Sequence, residues 1–243
     1  MGNLKNRIRR IKEFLLDICF PRRCPVCDEI VIPFGECICA ECIPKLKIIS
    51  PPWCFVCGKK ILTEGQICED CQRKKHKFDR GRCLFEYKTA ASSLYRFKYS
   101  GRREYAKYYG QAVNEYLSDF IQKTKAQALV PIPLHKSRYR KRGYNQATEL
   151  AKAISEATGI PVREDLLKRV KKTVPLKKLR PEERQKNLQK AFIVPQNDVK
   201  LKSIIIIDDI YTTGATMDEA AATLKAAGIP EVFFITLAGG AGI

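Results

Sequence analysis

Residues 204–216 read IIIIDDIYTTGAT, and this stretch decides the fold. Four consecutive isoleucines predict a fully buried strand of the kind found in parallel sheets. Apolar residues recur at helical spacing from Met217 onward, and Gly228 predicts the end of that helix. The loop between strand and helix therefore offers backbone N–H groups and the positive end of a helix dipole, which together suit a phosphate group.

The side chains in and before this loop support a phosphate-monoester site. Three threonines add hydroxyl donors, and a glycine lets the backbone approach a ligand closely: Thr212, Thr213, Thr216 and Gly214. Asp208 and Asp209 precede the loop, where carboxylates can hold sugar hydroxyls or a phosphate-bound Mg²⁺. The alternative is an ordinary turn between strand and helix, but such a turn does not require both the acidic pair and the threonines.

The stretch resembles the motif by which type I phosphoribosyltransferases bind phosphoribosyl pyrophosphate (PRPP). The resemblance implies that the loop binds the 5′-phosphate of PRPP and that the acidic pair contacts the ribose 2′ and 3′ hydroxyls, often with Mg²⁺ nearby. The PRPP-binding residues that it implies are Asp208, Asp209, Tyr211, Thr212, Thr213, Gly214, Ala215 and Thr216.

Composition divides the chain into two unequal parts. The 243 residues suffice for one α/β core and a small extra module, and all eleven cysteines lie between Cys19 and Cys83. The formal charge of +19 predicts an anionic partner. No apolar stretch is long enough to span a bilayer, and Glu13 and Asp17 interrupt any signal-peptide core. We therefore expect a cytoplasmic protein, whose cysteines are metal ligands rather than disulfides.

Eight cysteines form four CxxC pairs. Each pair places two thiolates on one side of a tight turn, and two pairs complete a tetrahedral Zn²⁺ site. The predicted ligands of two structural zinc ions are Cys24, Cys27, Cys39, Cys42, Cys54, Cys57, Cys68 and Cys71. Two successive ribbons are the simplest pairing, but a cross-braced arrangement has the same spacing, and Cys37 could replace Cys39. The remaining cysteines are expected to be neutral thiols of the core.

The expected domain boundaries follow from these patterns. Residues 1–20 predict a basic amphipathic helix that packs on the protein, with attachment to a membrane surface or a partner as the alternative. Residues 21–75 predict a double zinc-ribbon module, and residues 80–243 a phosphoribosyltransferase-like domain. The segment between them is basic, and we expect His76 to be solvated there.

A second basic stretch follows the predicted strand 128–133. His135, Lys136, Ser137 and Arg138 come directly after this strand, and a helix is predicted over 147–158. Because the carboxyl ends of parallel strands share one crevice, this stretch and the phosphate loop can face each other. We predict a pyrophosphate-binding loop at 135–138; the alternative is a solvated basic loop.

Three features together resemble the ComF competence-protein family, whose C-terminal half is a type I phosphoribosyltransferase domain. They are PRRC at 21–24 with its CxxC pairs, PIPLHKSRYRKRGYNQA at 131–147, and the charged run of 169–192 ahead of 204–216. The resemblance implies a Rossmann-like α/β fold, with a mainly parallel sheet and flanking helices, preceded by a Cys₄ zinc-ribbon module. It also implies displacement at ribose C1 with loss of pyrophosphate, whose charge Mg²⁺, Lys136, Arg138 and Arg169 would meet. His135 could donate a proton or hydrogen bond to it.

The acceptor is open, because the purine-salvage members of the superfamily carry an aspartate where this chain has Thr212. Two functions remain. One is Mg²⁺-dependent phosphoribosyl transfer to an unidentified acceptor. The other is non-enzymatic handling of single-stranded DNA in natural transformation, with a competence protein as a further partner and PRPP as a sensed ligand. Candidate contacts to substrate or DNA are Lys98, Arg142, Asn145, Arg169 and Arg184.

Overall fold

A computed structural model describes residues 21–61, 65–170, 191–195 and 200–240. Three sequence predictions lie outside these residues. They are the amphipathic helix of 1–20 with its Cys19, the basic segment 171–190, and the candidate contact Arg184.

The described residues begin with a cysteine-rich part and continue into alternating strands and helices. The first part holds a 3-10 helix, Ala40–Lys45, and α1, Glu69–Arg73. The elements that follow are β1 (Gly81–Glu86), α2 (Tyr87–Tyr99), α3 (Tyr105–Thr124), β2 (Ala128–Pro131), α4 (Lys136–Arg142), α5 (Gln146–Thr158), β3 (Lys168–Arg169), β4 (Phe192–Ile193), β5 (Ser203–Tyr211), α6 (Ala215–Ala226) and β6 (Glu231–Gly239).

The main sheet has four parallel strands in the order β1-β6-β5-β2. In β5, Ile205 and Ile207 join the hydrophobic cluster that contains α3 and α5, whereas Ile204 and Ile206 join the cluster that contains α6. The isoleucine run is therefore buried on both faces, as its uninterrupted apolar character predicts. The predicted α/β fold with a parallel sheet is confirmed.

Helices α3 and α5 cover one face of the sheet in close contact. A Cβ atom added to Gly110 of α3 would lie 2.6 Å from the backbone carbon of Ala153 in α5, so the two helix backbones meet at a position that only glycine fits. The observed α5 agrees with the helix predicted over 147–158.

Two local predictions were wrong. The strand was expected to end at the aspartates, but β5 continues to Tyr211, and Asp208 lies opposite Thr236 of β6. The basic loop predicted after β2 is instead the short helix α4. His135 caps its start, since its Nδ1 accepts a hydrogen bond from the Ser137 N–H at 3.2 Å, and Gly143 ends it with φ of +79°.

The cysteine-rich part packs directly on the sheet domain. Asp28 accepts hydrogen bonds from the Tyr105 hydroxyl at 2.6 Å and from the Arg102 guanidinium at 3.0 Å. Arg96 of α2 donates to the Val26 carbonyl oxygen at 2.6 Å. Within the ranges that the structure describes, no helix has the length and apolar character needed to cross a membrane.

Candidate functional site

Two groups of four cysteines are preassembled for tetrahedral metal binding. Tetrahedral Zn–S bonds of about 2.3 Å place neighbouring sulfurs about 3.8 Å apart. The Sγ atoms of Cys27 and Cys39 are 3.9 Å apart, and those of Cys57 and Cys68 are 3.7 Å apart. The residues therefore fit zinc. The first zinc cluster is Cys24, Cys27, Cys39 and Cys42, and the second is Cys54, Cys57, Cys68 and Cys71.

This grouping settles two alternatives that the spacing left open. The CxxC pairs combine in sequence order rather than cross-braced, and Cys39 rather than Cys37 completes the first zinc cluster. Burial raises the pKa of the Cys37 thiol. Burial also raises the pKa of Cys83 to about 12, and its thiol donates to the Cys57 carbonyl oxygen at 3.5 Å. Both are neutral thiols of the core, as predicted.

A cavity of about 610 Å³ opens at the carboxyl end of β5. Its size lies within the range of small-molecule sites, and its position is the one at which open α/β sheets bind ligands. Its walls are formed by β5, the loop into α6, the C-terminal half of α2, α4 and β3. The lining residues that carry charge or can stack or hydrogen-bond are Tyr95, Lys98, Tyr99, Arg138, Lys141, Arg142, Arg169, Asp208, Asp209, Tyr211, Thr212 and Thr216.

The acidic pair stands at the floor of this cavity. Asp208 accepts a hydrogen bond from the Asp209 N–H at 2.8 Å, and Asp209 forms an ion pair with Lys98 at 2.9 Å. Burial, and next the neighbouring charge of Asp209, raises the pKa of Asp208 to about 7. One carboxylate is thus neutralised by a lysine while the other holds its proton up to neutral pH, so the pair suits sugar hydroxyls.

Gly214 shapes the phosphate loop. It has φ of +77° and precedes α6, whose first residue is Ala215. A Cβ atom at this position would lie 2.6 Å from the Tyr211 hydroxyl and 2.9 Å from Cε1 of His76. Both the backbone conformation and the crowding require glycine, and the result is a helix N-terminus that opens into the cavity.

The side chains of Tyr211 and His76 pack against Gly214 of that loop. The Tyr211 ring is buried and stacks on Phe234 with 4.9 Å between centroids. Tyr211 was predicted as part of the binding loop; its ring lies under the loop, and the residue also lines the cavity. His76 was expected to be solvated, and this was wrong, because its side chain is only 2% exposed and its Nδ1 lies 3.1 Å from the Asp218 carboxylate.

Asp218 lies in the first turn of α6, and its carboxylate contacts three groups of the segment that follows the second zinc cluster. It accepts hydrogen bonds from the Lys77 N–H at 2.9 Å and from Lys74 at 2.6 Å, in addition to its contact with His76. Burial alone would raise the pKa of Asp218, but the hydrogen bonds from His76 and Lys74 lower it below its ordinary value. The phosphate-loop helix is therefore held by the cysteine-rich part of the chain.

A cationic wall faces the acidic pair and the phosphate loop. Its members are Arg138, Lys141, Arg142 and Arg169. Burial and the nearby Arg138 lower the pKa of Arg169 to about 10. Grouped cations of this kind raise the local potential and favour a multiply charged anion.

The predicted site residues separate into two groups. Lys98, Arg138, Arg142, Arg169 and most of 208–216 line the cavity, whereas His135, Lys136, Ser137 and Thr213 do not. His135 instead caps α4. Asn145 caps α5 and donates to the Ile132 carbonyl oxygen at 2.9 Å, so the structure gives it a local structural role.

Sequence reasoning missed Tyr95, Tyr99 and Lys141 of the cavity wall. The two tyrosines are spaced i, i+4 on α2 and flank Lys98, so their shared helix face was a readable signal. Tyr144, by contrast, is buried, and its hydroxyl donates to the Phe97 carbonyl oxygen.

A parallel sheet with a phosphate-loop cavity at its carboxyl edge, together with two Cys₄ sites, defines a zinc-ribbon protein with a phosphoribosyltransferase-type domain. Residues 136–242 match the family model for a phosphoribosyl transferase domain, and residues 15–72 match that for a double zinc ribbon domain. The chain belongs to the ComF competence-protein family.

Several relatives match most of this chain. Competence protein F of Haemophilus influenzae is 30% identical over 202 residues, covering 80% of this chain and 87% of the relative. Competence protein ComFC of Bacillus subtilis is 32% identical over 204 residues, or 78% of each chain. DNA utilization protein YhgH of Salmonella typhimurium is 26% identical over 196 residues, covering 79% of this chain and 84% of the relative.

Proposed function

We propose that the cavity at the end of β5 binds PRPP. The observation that carries the proposal is the placement of three complementary surfaces around one cavity: the acidic pair, the N-terminus of α6 and the cationic wall. The 5′-phosphate would lie on the loop 212–216, the ribose hydroxyls on Asp208 and Asp209, and the pyrophosphate toward Arg138 and Arg169.

The reaction that this arrangement supports is phosphoribosyl transfer. An acceptor nucleophile would form a bond to ribose C1 while the bond from C1 to the pyrophosphate oxygen breaks, and the electron pair leaves with pyrophosphate. Mg²⁺ bound to the pyrophosphate oxygens would neutralise the charge of the leaving group. The cationic wall would stabilise the same charge, and Lys98 would fix the orientation of Asp209 toward the sugar. Thr212 is no base, so the acceptor is unassigned.

Two relatives are named competence proteins and a third a DNA utilization protein, which supports a role of this chain in DNA uptake. We place that role in the cytoplasm, where PRPP and reduced zinc thiolates are both compatible with the chemistry. In the same proposal, residues 21–75 act as the zinc-ribbon module and residues 80–243 as the phosphoribosyltransferase-like domain.

A second candidate is a non-enzymatic protein that holds single-stranded DNA and uses PRPP as a sensed ligand. The exposed tyrosines Tyr95 and Tyr99 beside the cationic wall favour it, because basic grooves with aromatic platforms bind single strands. The formal charge of +19 supports the same reading. A protein of the competence machinery is the further partner that this candidate involves.

Calorimetric titration with PRPP and Mg²⁺ tests the first proposal. We expect the wild type to bind and the Asp208→Asn/Asp209→Asn variant to lose at least about tenfold in affinity, since two hydrogen-bond acceptors for the sugar become weaker. A matched control is Glu115→Gln/Asp119→Asn, which makes the same two carboxyl-to-amide changes on the exposed side of α3. Removal of negative charge alone would strengthen anion binding.

Two outcomes would contradict the phosphoribosyl site: no PRPP binding to the wild type, or equal affinity in the acidic-pair variant. If PRPP does not bind while a single-stranded oligonucleotide does, only the DNA-holding part of the second candidate stands, and its sensing of PRPP fails together with the first proposal.

A further inference from the structure

Lys98 reaches the acidic pair from outside the strand–loop–helix unit that carries it. The residue lies in the last turn of α2 and lines the cavity. Its Nζ is 2.9 Å from Oδ2 of Asp209, and the two side chains are only 16% and 14% exposed. An ion pair that is largely removed from water is screened less than one on the surface. The charge of Lys98 therefore acts directly on the acidic pair.

The geometry of β5 determines which carboxylate the lysine can reach. Asp208 and Asp209 both lie within the strand, and successive side chains of a strand point to opposite faces of the sheet. Asp208 has the orientation of Ile206, whose hydrophobic cluster contains α6, and Asp209 that of Ile207, whose cluster contains residues of α2. The two carboxylates thus leave the strand on opposite faces, and Asp209 lies on the side from which Lys98 comes.

This arrangement fits sugar hydroxyls better than a divalent cation. Mg²⁺ requires ionised oxygen ligands in near-ideal octahedral geometry. Burial and the charge of Asp209 raise the pKa of Asp208 to about 7, and Lys98 already compensates the charge of Asp209. A divalent cation bound to Asp209 would also be repelled by the ammonium group. The acidic pair of this chain is therefore a poor fit for the phosphate-bound Mg²⁺ that its sequence suggested.

We propose that the Lys98 ammonium takes the place of a divalent cation at the acidic pair. The inference rests on the proposed phosphoribosyl site and concerns how its sugar end is neutralised. Ribose hydroxyls would donate to Asp208 and Asp209, while Lys98 holds the Asp209 carboxylate in position and balances its charge. The pyrophosphate oxygens of PRPP would remain the ligands for Mg²⁺. A 5-phosphoribosyl group that lacks pyrophosphate should therefore bind without any divalent cation.

Ribose 5-phosphate is the probe, titrated by calorimetry in metal-free buffer and in excess MgCl₂. No chelator is used, because it would remove structural zinc. We expect the wild type to bind with the same affinity, within about twofold, in both buffers. Lys98→Met should bind at least about tenfold more weakly in metal-free buffer, because Asp209 is left as an uncompensated charge. Excess Mg²⁺ should restore most of this loss, since the carboxylate becomes free to bind it.

Two further variants separate the contact with Asp209 from general effects of charge. Lys98→Arg keeps the positive charge and should behave as the wild type does. Lys141→Met is the matched control, because Lys141 also lines the cavity but belongs to α4. Its loss of affinity should be the same with and without Mg²⁺. Tighter binding of ribose 5-phosphate to the wild type in Mg²⁺, by about tenfold, would overturn the proposal. So would a Lys98→Met variant that is equally weak in both buffers.

A titration with Mn²⁺, followed by electron paramagnetic resonance, tests the same inference without a phosphoribosyl ligand. Mn²⁺ shares the preference of Mg²⁺ for carboxylate oxygens. We expect Lys98→Met to gain a Mn²⁺ site that the wild type lacks and that Lys98→Met/Asp209→Asn loses again. A Mn²⁺ site in the wild type that Asp209→Asn removes would contradict the proposal, as would the absence of a new site in Lys98→Met.

The two proposals fail separately. If ribose 5-phosphate does not bind the wild type in either buffer, the phosphoribosyl site is wrong, and the Mn²⁺ titration decides the role of Lys98. If ribose 5-phosphate binds the wild type only in the presence of Mg²⁺, the phosphoribosyl site stands and the role of Lys98 is overturned.

Discussion

Asp208 holds a proton that most aspartates release well below neutral pH. Its carboxylate ends the buried isoleucine run, and burial together with the adjacent Asp209 raises its pKa to about 7. At pH values where Asp208 ionises, its buried negative charge beside Asp209 therefore destabilises the ligand-free site by electrostatic strain. Strain of this kind in an empty binding site is relieved by the ligand or by loss of the charge.

The pH dependence of stability tests this pKa. Between the ordinary pKa of an aspartate, about 3.9, and about 7, the folded state binds more protons than the unfolded state. The free energy of unfolding should therefore fall as pH rises through this window. Asp208→Asn removes this dependence and should stabilise the ligand-free protein above pH 7 by on the order of 1–3 kcal/mol.

Urea unfolding between pH 4.5 and 8 measures the effect, with Asp119→Asn as the control for removing an exposed aspartate of α3. A difference between the Asp208→Asn variant and the wild type that stays constant over this range would contradict the raised pKa.

At the level of single residues, local motifs were predictable from sequence and distant contacts were not. The acidic pair, Thr212 and Thr216 lie within one strand–loop–helix unit, so their spacing was enough to predict that they line one cavity. His76 lies in a run of lysines that is typical of a solvated segment. Its burial depends on Asp218, which comes from a helix far along the chain, and no local pattern encodes that contact.

The segment 74–77 and the first turn of α6 form one structural unit. Lys74, His76 and the backbone of Lys77 all meet Asp218, and the His76 ring lies against the space beside Gly214. The phosphate loop is thereby supported from a part of the chain that does not touch the ligand cavity itself.

Substitution of Asp218 or His76 should weaken phosphate binding without removing a residue of the cavity wall. We expect Asp218→Asn to lower the free energy of unfolding by about 1–3 kcal/mol, because the buried hydrogen-bonded cluster around it loses its negative charge and one of the two carboxylate acceptor oxygens. His76→Ala should act in the same direction. Both variants should bind ribose 5-phosphate several-fold more weakly, measured by calorimetry.

Lys75→Ala provides the control, since Lys75 lies in the same segment and its side chain is exposed. Unchanged phosphate affinity in both Asp218→Asn and His76→Ala would show that the segment contributes only stability.

A secondary-structure element could be predicted where the sequence itself carries its periodicity and marks its end. Helix α5 ends at Gly159 with φ of +77°, and both its apolar periodicity and this glycine are visible in the sequence. Helix α4 has no apolar periodicity to predict it, because its sequence is KSRYRKR and no residue of it is buried. Strand β5 extends past the aspartates because β6 pairs with it as far as Tyr211, which is a property of the partner strand.

Among the described residues of the molecule, the cysteine-rich part and the sheet share their hydrophobic clusters. Cys54 and Cys57 share a hydrophobic cluster with Ile206 and Phe234, and Cys24 and Cys42 share the other cluster with Leu84 and Phe85. The clustering of cysteines in sequence suggested a separate module, since composition reports where ligands lie along the chain. It does not report which surfaces they bury.

The two zinc clusters support different parts of the candidate site. Near the second zinc cluster, the Lys59 ammonium lies 5.8 Å from the centre of the Tyr211 ring, and the segment that follows this cluster binds Asp218. Near the first zinc cluster, Val26 and Asp28 contact α2 and α3. Loss of the second zinc ion should therefore disturb the conformation of the phosphate loop, whereas loss of the first should mainly weaken the packing of α2 and α3.

Single ligand substitutions separate these effects. We expect about two Zn²⁺ per chain in the wild type and about one in either Cys42→Ser or Cys71→Ser, because three remaining thiolates bind structural zinc far more weakly. Both variants should melt at lower temperature. Cys71→Ser should weaken ribose 5-phosphate binding by about tenfold or more, and Cys42→Ser clearly less, since the metal's binding energy is also folding energy for the residues packed around it.

Cys37→Ser is the control for loss of a buried thiol that is not a ligand, and it should retain both zinc ions. Zinc content measured by atomic emission, together with calorimetry on each variant, gives the comparison. Equal phosphate affinity in Cys42→Ser and Cys71→Ser would mean that the phosphate loop depends on the fold as a whole. A larger loss in Cys71→Ser would mean that the second zinc cluster, through the segment 74–77 and Tyr211, holds the loop in the shape that a phosphate requires.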